Sequence, residues 1–192
     1  MIPFKAETGL DYCTLRRIDE TAKFLDFLPI TIDVNRTYAN PVLDIGSENA
    51  VGDYFKGCQI PIVNVNSTDF NYKVNPTQKY DTVFCFEVIE HLMNPLLFME
   101  EIRDKCVEDG GVVYLSTPVA NRFGFYFNEE EHFCEYRVDK LKVLFEYAGF
   151  KVEKEHKFRS IPFWKEVWRV KSLRSVLRAL TTYTVIFKLR AI

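Results

Sequence analysis

No Cys-x-x-Cys pair occurs in this chain, and its five cysteines, Cys13, Cys58, Cys85, Cys106 and Cys134, are an odd number. Neither a thiolate zinc site nor a disulfide framework is suggested, so a reducing cytoplasm is the expected home. Also missing is any apolar run approaching the ~20 residues that a membrane helix needs, and the short apolar core of a signal peptide at the N-terminus. Charge of one sign does not dominate: 25 Lys and Arg stand against 27 Asp and Glu, a formal net charge of -2. No internal repeat and no linker divides the 192 residues, which predicts one domain over 1–192. With 47% hydrophobic and 15% aromatic residues the chain has ample material for a core.

What is present is unevenly placed. From residue 157 onward nine Lys and Arg face a single acid, Glu166, so a basic tail follows a mildly acidic body. Apolar residues at Leu15, Ile18, Ala22, Leu25 and Leu28 predict a helix over 14–28, ended by Pro29, within an N-terminal helical cap of residues 1–40. Arg16 and Arg17 on that helix could reach a ligand, but a solvated helix face is the commoner reading. Strands are predicted at 42–46, 60–66, 82–86, 112–116, 150–158 and 183–189. Helices are predicted at 47–56, from 87 to 105 with Pro95 as a kink or restart, at 138–147, and at 163–180. Asp109-Gly110-Gly111 reads as a turn. The strand, helix, strand succession is that of a parallel sheet, and the last two strands read as an antiparallel pair.

The stretch Tyr-Asp-Thr-Val-Phe-Cys-Phe-Glu-Val-Ile-Glu-His at 80–91 is the centre of the chain's chemistry. A buried strand running straight into a helix would put Glu87, Glu90 and His91 on one helical face. Open α/β sheets bind ligands at the carboxyl ends of their strands, where this cluster falls. Cys85, inside the strand, reads as core. The loop 120–131 gathers Phe123, Phe125, Tyr126 and Phe127 ahead of Glu129, Glu130 and Glu131.

Four segments in order, Val-Leu-Asp-Ile-Gly at 42–46, the 80–91 stretch, Gly-Gly before Val-Val-Tyr-Leu-Ser-Thr-Pro at 112–118, and Glu-His-Phe-Cys-Glu-Tyr at 131–136, resemble the class I S-adenosylmethionine-dependent methyltransferases. The resemblance implies an α/β, Rossmann-like fold. Its sheet is mostly parallel with a C-terminal antiparallel pair, and it is shortened between strands 2 and 4, because too few residues separate Asn66 from Asp81 for a helix and a strand. It implies S-adenosylmethionine as cofactor, held by Asp44, Gly46, Ser47, Asn66, Asp69, Phe86 and Glu87. Two departures stand out. Glu48 and Ala50 occupy later glycine positions of the first turn, and Asn66 stands where the family has an acid for the ribose hydroxyls.

Glu87, Glu90 and His91 also resemble the Glu-x-x-Glu-His of small-RNA and ubiquinone-pathway O-methyltransferases, which implies a divalent cation, Mg2+ or Mn2+, with His132 as a fourth ligand. Without metal, Glu90 and His91 bond to a neighbouring helix, and His132 or His91 serves as general base. The resemblance thus implies O-methylation of a small-molecule or sugar acceptor. Two alternatives remain open: a non-catalytic methyltransferase-like binding or scaffold protein, and a metal-dependent RNA 2′-O-methyltransferase. The modest charge and the lack of an appended RNA-binding module stand against the last. The basic amphipathic helix at 163–180 reads as a domain helix with a solvated side, or as a surface for a membrane, a phosphate-bearing substrate or nucleic acid.

Overall fold

Four short runs of apolar residues lie parallel and side by side: β1 (Val42–Ile45), β2 (Ile62–Val65), β3 (Tyr80–Phe86) and β4 (Val107–Val119). The computed structural model describes residues 12–25, 40–46, 50–58, 60–65, 70, 74–119, 136–159 and 183–192. Two further strands, β5 (Phe150–Phe158) and β6 (Tyr183–Ala191), complete a six-stranded sheet in the order β2-β1-β3-β4-β6-β5. β6 runs antiparallel to both β4 and β5. The expected mostly parallel sheet with a C-terminal antiparallel pair is therefore the observed one.

Both faces of the parallel part are covered, which is why its strands are nearly continuous apolar runs rather than alternating ones. All four residues of β1 are buried. On one face Leu43, Val83, Cys85, Leu115 and Phe187 pack against Phe98 and Met99 of α3 (Pro95–Glu101) and against Leu141 and Phe145 of α4 (Val138–Tyr147). On the other face Val42, Phe84 and Phe86 pack against Ile18 and Ala22 of α1 (Tyr12–Phe24), Leu25 just after it, and Val51 and Phe55 of α2 (Ala50–Gly57). From β1 the order runs one way to β2 and the other way to β3, so the topological switch point lies between β1 and β3.

Several boundaries differ from expectation for identifiable reasons. The helix expected from 87 to 105 is broken at its start. Glu87 has φ +57, outside the helical region, and only a 3-10 turn, Ile89–His91, follows before Asn94. Asn94 then caps α3, its side chain accepting the Leu97 N–H at 3.2 Å with Pro95 in the first turn, so the proline opens a helix rather than kinking one. α3 continues into a π-helical turn, Ile102–Cys106. The Gly-Gly turn is a bulge within β4. Tyr80 pairs with Val107 but Thr82 with Val112, and Gly110 takes φ +72 between them. α1 ends at Phe24, earlier than the expected residue 28, whereas α4 and β5 have their expected limits. The loop 120–131 and the helix expected at 163–180 lie outside the described residues. Among those described, no helix is long and apolar enough to cross a membrane.

Candidate active site

The turn after β1 and the turn after β3 meet at the switch point. Gly46 has φ +138, and a Cβ placed there would lie 3.0 Å from Val88 Cγ2, so the position asks for glycine on both counts. Asp44, two residues earlier, is 1% exposed. Neither of its carboxylate oxygens has a hydrogen-bond partner among the described residues, and burial pushes its pKa up to about 6. Its register neighbour on β2 is Asn64, whose buried Nδ2 is likewise unpartnered. A buried carboxylate with two orphan oxygens beside a tight glycine turn is a place where a donor belongs.

Across the crevice, Glu87 is held from three directions. Its N–H donates to the Ser116 carbonyl at 2.9 Å. Ser116 Oγ donates to Glu87 Oε1 at 2.8 Å, and Arg17 Nη1 of α1 donates to Oε2 at 3.3 Å. The left-handed backbone at a non-glycine residue is a strained conformation, and the bonds to β4 are what secure it. A cleft of about 610 Å3, including space open to solvent, lies above this carboxylate and is lined by Arg17, Thr21, Ala50, Val51, Phe86, Glu87, Val88, Ser116, Phe158 and Thr184. Its walls combine apolar and aromatic surface with a few convergent polar groups, the usual character of a small-molecule site.

Glu90 and His91 are elsewhere. Glu90 is 1% exposed and accepts a 3.0 Å bond from Thr117 Oγ1, while its Oε1 has no hydrogen-bond partner among the described residues and lies 4.0 Å from His91 Nε2. Burial first, and the nearby Glu87 charge second, raise the Glu90 pKa well above the carboxylate range. His91 is partly exposed and does not line the cleft. The single helical face expected for Glu87, Glu90 and His91 therefore does not form, because the chain leaves the helical region at Glu87. Among the described residues no three His, Cys, Asp or Glu side chains gather to hold a metal ion, and His132, the fourth expected ligand, lies outside them. Burial likewise raises the pKa of the Cys85 thiol, in keeping with its place in the core.

Of the residues expected at the cofactor, Asp44, Gly46, Phe86 and Glu87 sit at the same end of the sheet. Ser47, Asn66, Asp69 and His132 lie outside the described residues. Nothing in their sequence context singles out Ser116, Phe158 or Thr184, and Arg17, which could reach a ligand, reads first as part of a solvated face. Arg17 resembles any solvated helix arginine until α1 docks beside β3, and nothing local marks Ser116 as the partner of Glu87. S-adenosylmethionine fits what is present: orphan acceptors on Asp44 among the described residues, a turn that admits backbone but no side chain at Gly46, and, at the same end of the sheet, a cleft lined by Phe86, Glu87 and Val88. Ala50, at one of the replaced glycine positions, lines that cleft with only a methyl group.

A family model described as a methyltransferase domain matches residues 15–155. None of the curated proteins matches the sequence. Among solved structures, a protein of Galdieria sulphuraria assigned as a sarcosine dimethylglycine methyltransferase superposes with a TM-score of 0.63 at 12% identity, over 92% of this chain and 85% of that one. Coclaurine N-methyltransferase bound to N-methylheliamine and S-adenosylhomocysteine gives 0.55 at 10% identity, over 97% and 75%. The cyclase SpnF gives 0.58 at 13% identity, over 92% and 80%. These are likenesses of fold, and the last two bear different reactions on it. With the fold, the paired turns at the switch point and the matched domain in agreement, the chain belongs to the class I S-adenosylmethionine-dependent methyltransferases.

Proposed function

We propose that the protein moves a methyl group from S-adenosylmethionine to a hydroxyl oxygen of a small-molecule or sugar acceptor bound in the cleft. The observation that carries this reading is the Glu87 carboxylate, set at the end of β3 by Ser116 and Arg17 and lining the cleft. The cofactor supplies an electrophilic methyl group on a sulfonium. Asp44, Gly46 and Phe86 hold it, together with Ser47, Asn66 and Asp69 as the family resemblance implies. Arg17 offers a guanidinium to a carboxylate or phosphate of the bound molecules. Glu87 is the cleft residue that accepts the acceptor's hydroxyl hydrogen, keeping the oxygen oriented and receiving its proton as the new bond forms. Phe86 and Phe158 flank the acceptor with apolar surface that excludes water. Direct transfer needs no enzyme nucleophile, so the burial of Cys85 is no obstacle.

Calorimetric titration with S-adenosylhomocysteine, followed by transfer from S-adenosylmethionine to a panel of hydroxyl acceptors, tests the reading. Micromolar binding and a methylated hydroxyl product support it. A non-catalytic binding role is the second reading, favoured by Ala50 at the cleft in place of a glycine; no binding of S-adenosylhomocysteine would establish it over the first.

A further inference from the structure

α1 carries two stripes of residues with different partners. Arg17 and Thr21, four apart, line the cleft. Glu20 and Phe24, also four apart, face β5 at the far edge of the sheet. There His156 Nε2 lies 2.9 Å from Glu20 Oε2. The imidazole is stacked between two phenyl rings, Phe24 at 6.3 Å and 28° and Phe158 at 5.9 Å and 16°. Phe158 also lines the cleft. Lys154, on the same strand, donates to the Phe24 carbonyl at 3.1 Å and places its ammonium 4.7 Å from the centre of that ring. Neither Glu20 nor His156 is among the residues that line the cleft.

We infer that His156 and Glu20 form a latch that positions α1, and through it Arg17, over the cleft. Burial of Ile18, Ala22 and Leu25 holds α1 to the sheet, but apolar burial is non-directional. A slip of one residue would turn the helix by about 100° and carry Arg17 away from Glu87. A carboxylate bonded to a ring nitrogen that is itself fixed between two rings is directional, and it sets both the rotation and the axial position of the helix. Because the same imidazole rests on Phe158, it also fixes one aromatic wall of the cleft. Glu20 and His156 are thus positioning residues for a site that neither lines.

This rests on the cleft being the cofactor and acceptor site, and the experiment separates the two claims. S-adenosylhomocysteine is titrated into the full chain and into His156→Ala, His156→Gln, Arg17→Ala and the Arg17→Ala/His156→Ala double variant, with hydrogen exchange of α1 followed in each. The expected results are a loss of affinity of about fivefold or more in His156→Ala and recovery of most of it in His156→Gln, which keeps a donor. Arg17→Ala should cost clearly less in the His156→Ala background than in the parent, because the latch acts through Arg17. Unchanged affinity in His156→Ala, or strictly additive losses, would overturn the latch. If the parent chain binds no S-adenosylhomocysteine, the cofactor reading fails and exchange alone decides. α1 amides exchanging about fivefold faster in His156→Ala would uphold the latch, and equal rates would refute it.

Discussion

Asp44→Asn removes a charge from a place where none of the described residues gives it a donor, and its consequence depends on pH in a way that other substitutions do not share. Burial holds the Asp44 carboxyl at about 6 in the folded chain, against 3.8 ordinarily, with Lys56 opposing the shift in part. Between those values the unfolded chain has lost the proton and the folded chain keeps it, so stability falls as pH rises, and the whole loss is present above pH 6. At about 1.4 kcal/mol per pH unit the gap amounts to roughly 3 kcal/mol. Asn carries no charge, and its buried amide lacks partners as the protonated carboxyl does, so that cost of about 1–3 kcal/mol is common to both. The variant should therefore be close to the parent in stability at pH 4 and the more stable form at pH 8. The difference between them should climb by about 3 kcal/mol across that interval. Urea unfolding of both proteins at four pH values from 4 to 8 measures it. A difference that does not change with pH would mean that the carboxylate finds a donor in the folded chain, and the case for an unfilled acceptor at the end of β1 would fall. Under the proposed cofactor site, saturating S-adenosylhomocysteine should reverse the order above pH 6, its cationic amine then meeting the parent's carboxylate.

Glu87→Gln keeps the bond from Ser116 but removes the proton acceptor. Methyl transfer should drop about 100-fold or more, while S-adenosylhomocysteine affinity measured by calorimetry stays within about threefold. Gly46→Ala meets both a φ of +138 and Val88 Cγ2 at 3.0 Å. It should lower stability by about 1–3 kcal/mol in urea unfolding, and shortening Val88 to Ala should recover only the contact part. Phe187→Ala empties a fully buried position packed edge-on against Phe145 at 5.2 Å, and should cost about 3–5 kcal/mol in the same assay.

The architecture was legible because it is written in short-range signals. The apolar runs at β1, β3 and β4, the turn before β5 and the alternation of β6 each depend on neighbours within a few residues, and together they specify an α/β sheet with an antiparallel end. α4 and β5 could be bounded to the residue, since Gly149, with φ +82, marks the junction between them as a glycine after a helix commonly does. The candidate site was legible only in its strand ends, Asp44, Gly46, Phe86 and Glu87. Spacing placed Glu87, Glu90 and His91 together by assuming helical backbone from Glu87 onward. One residue with φ +57 invalidated that, and the bonds that hold it there come from Ser116, far along the chain. Arg17 was legible as a cation but not as a neighbour of Glu87, because only the packing of Ile18 and Ala22 under α1 brings it there.

Ser116 and Thr117 explain why two acids three residues apart have separate lives. Successive strand residues point to opposite faces. Ser116 therefore holds Glu87 on the α1 side, at the cleft, and Thr117 holds Glu90 inside the other face. Burial together with the Glu87 charge raises the Glu90 pKa to about 8, so Glu90 keeps its proton at neutral pH. Environments that push two carboxyl groups apart in this way divide their roles. Glu90→Gln preserves an acceptor for Thr117 and removes a proton that the cleft does not use, so transfer should stay within about threefold of the parent, against the 100-fold or greater loss expected for Glu87→Gln. Measured side by side with one acceptor, equal losses in the two variants would show that the carboxyl groups act as a pair, and the assignment of proton acceptance to Glu87 alone would be wrong.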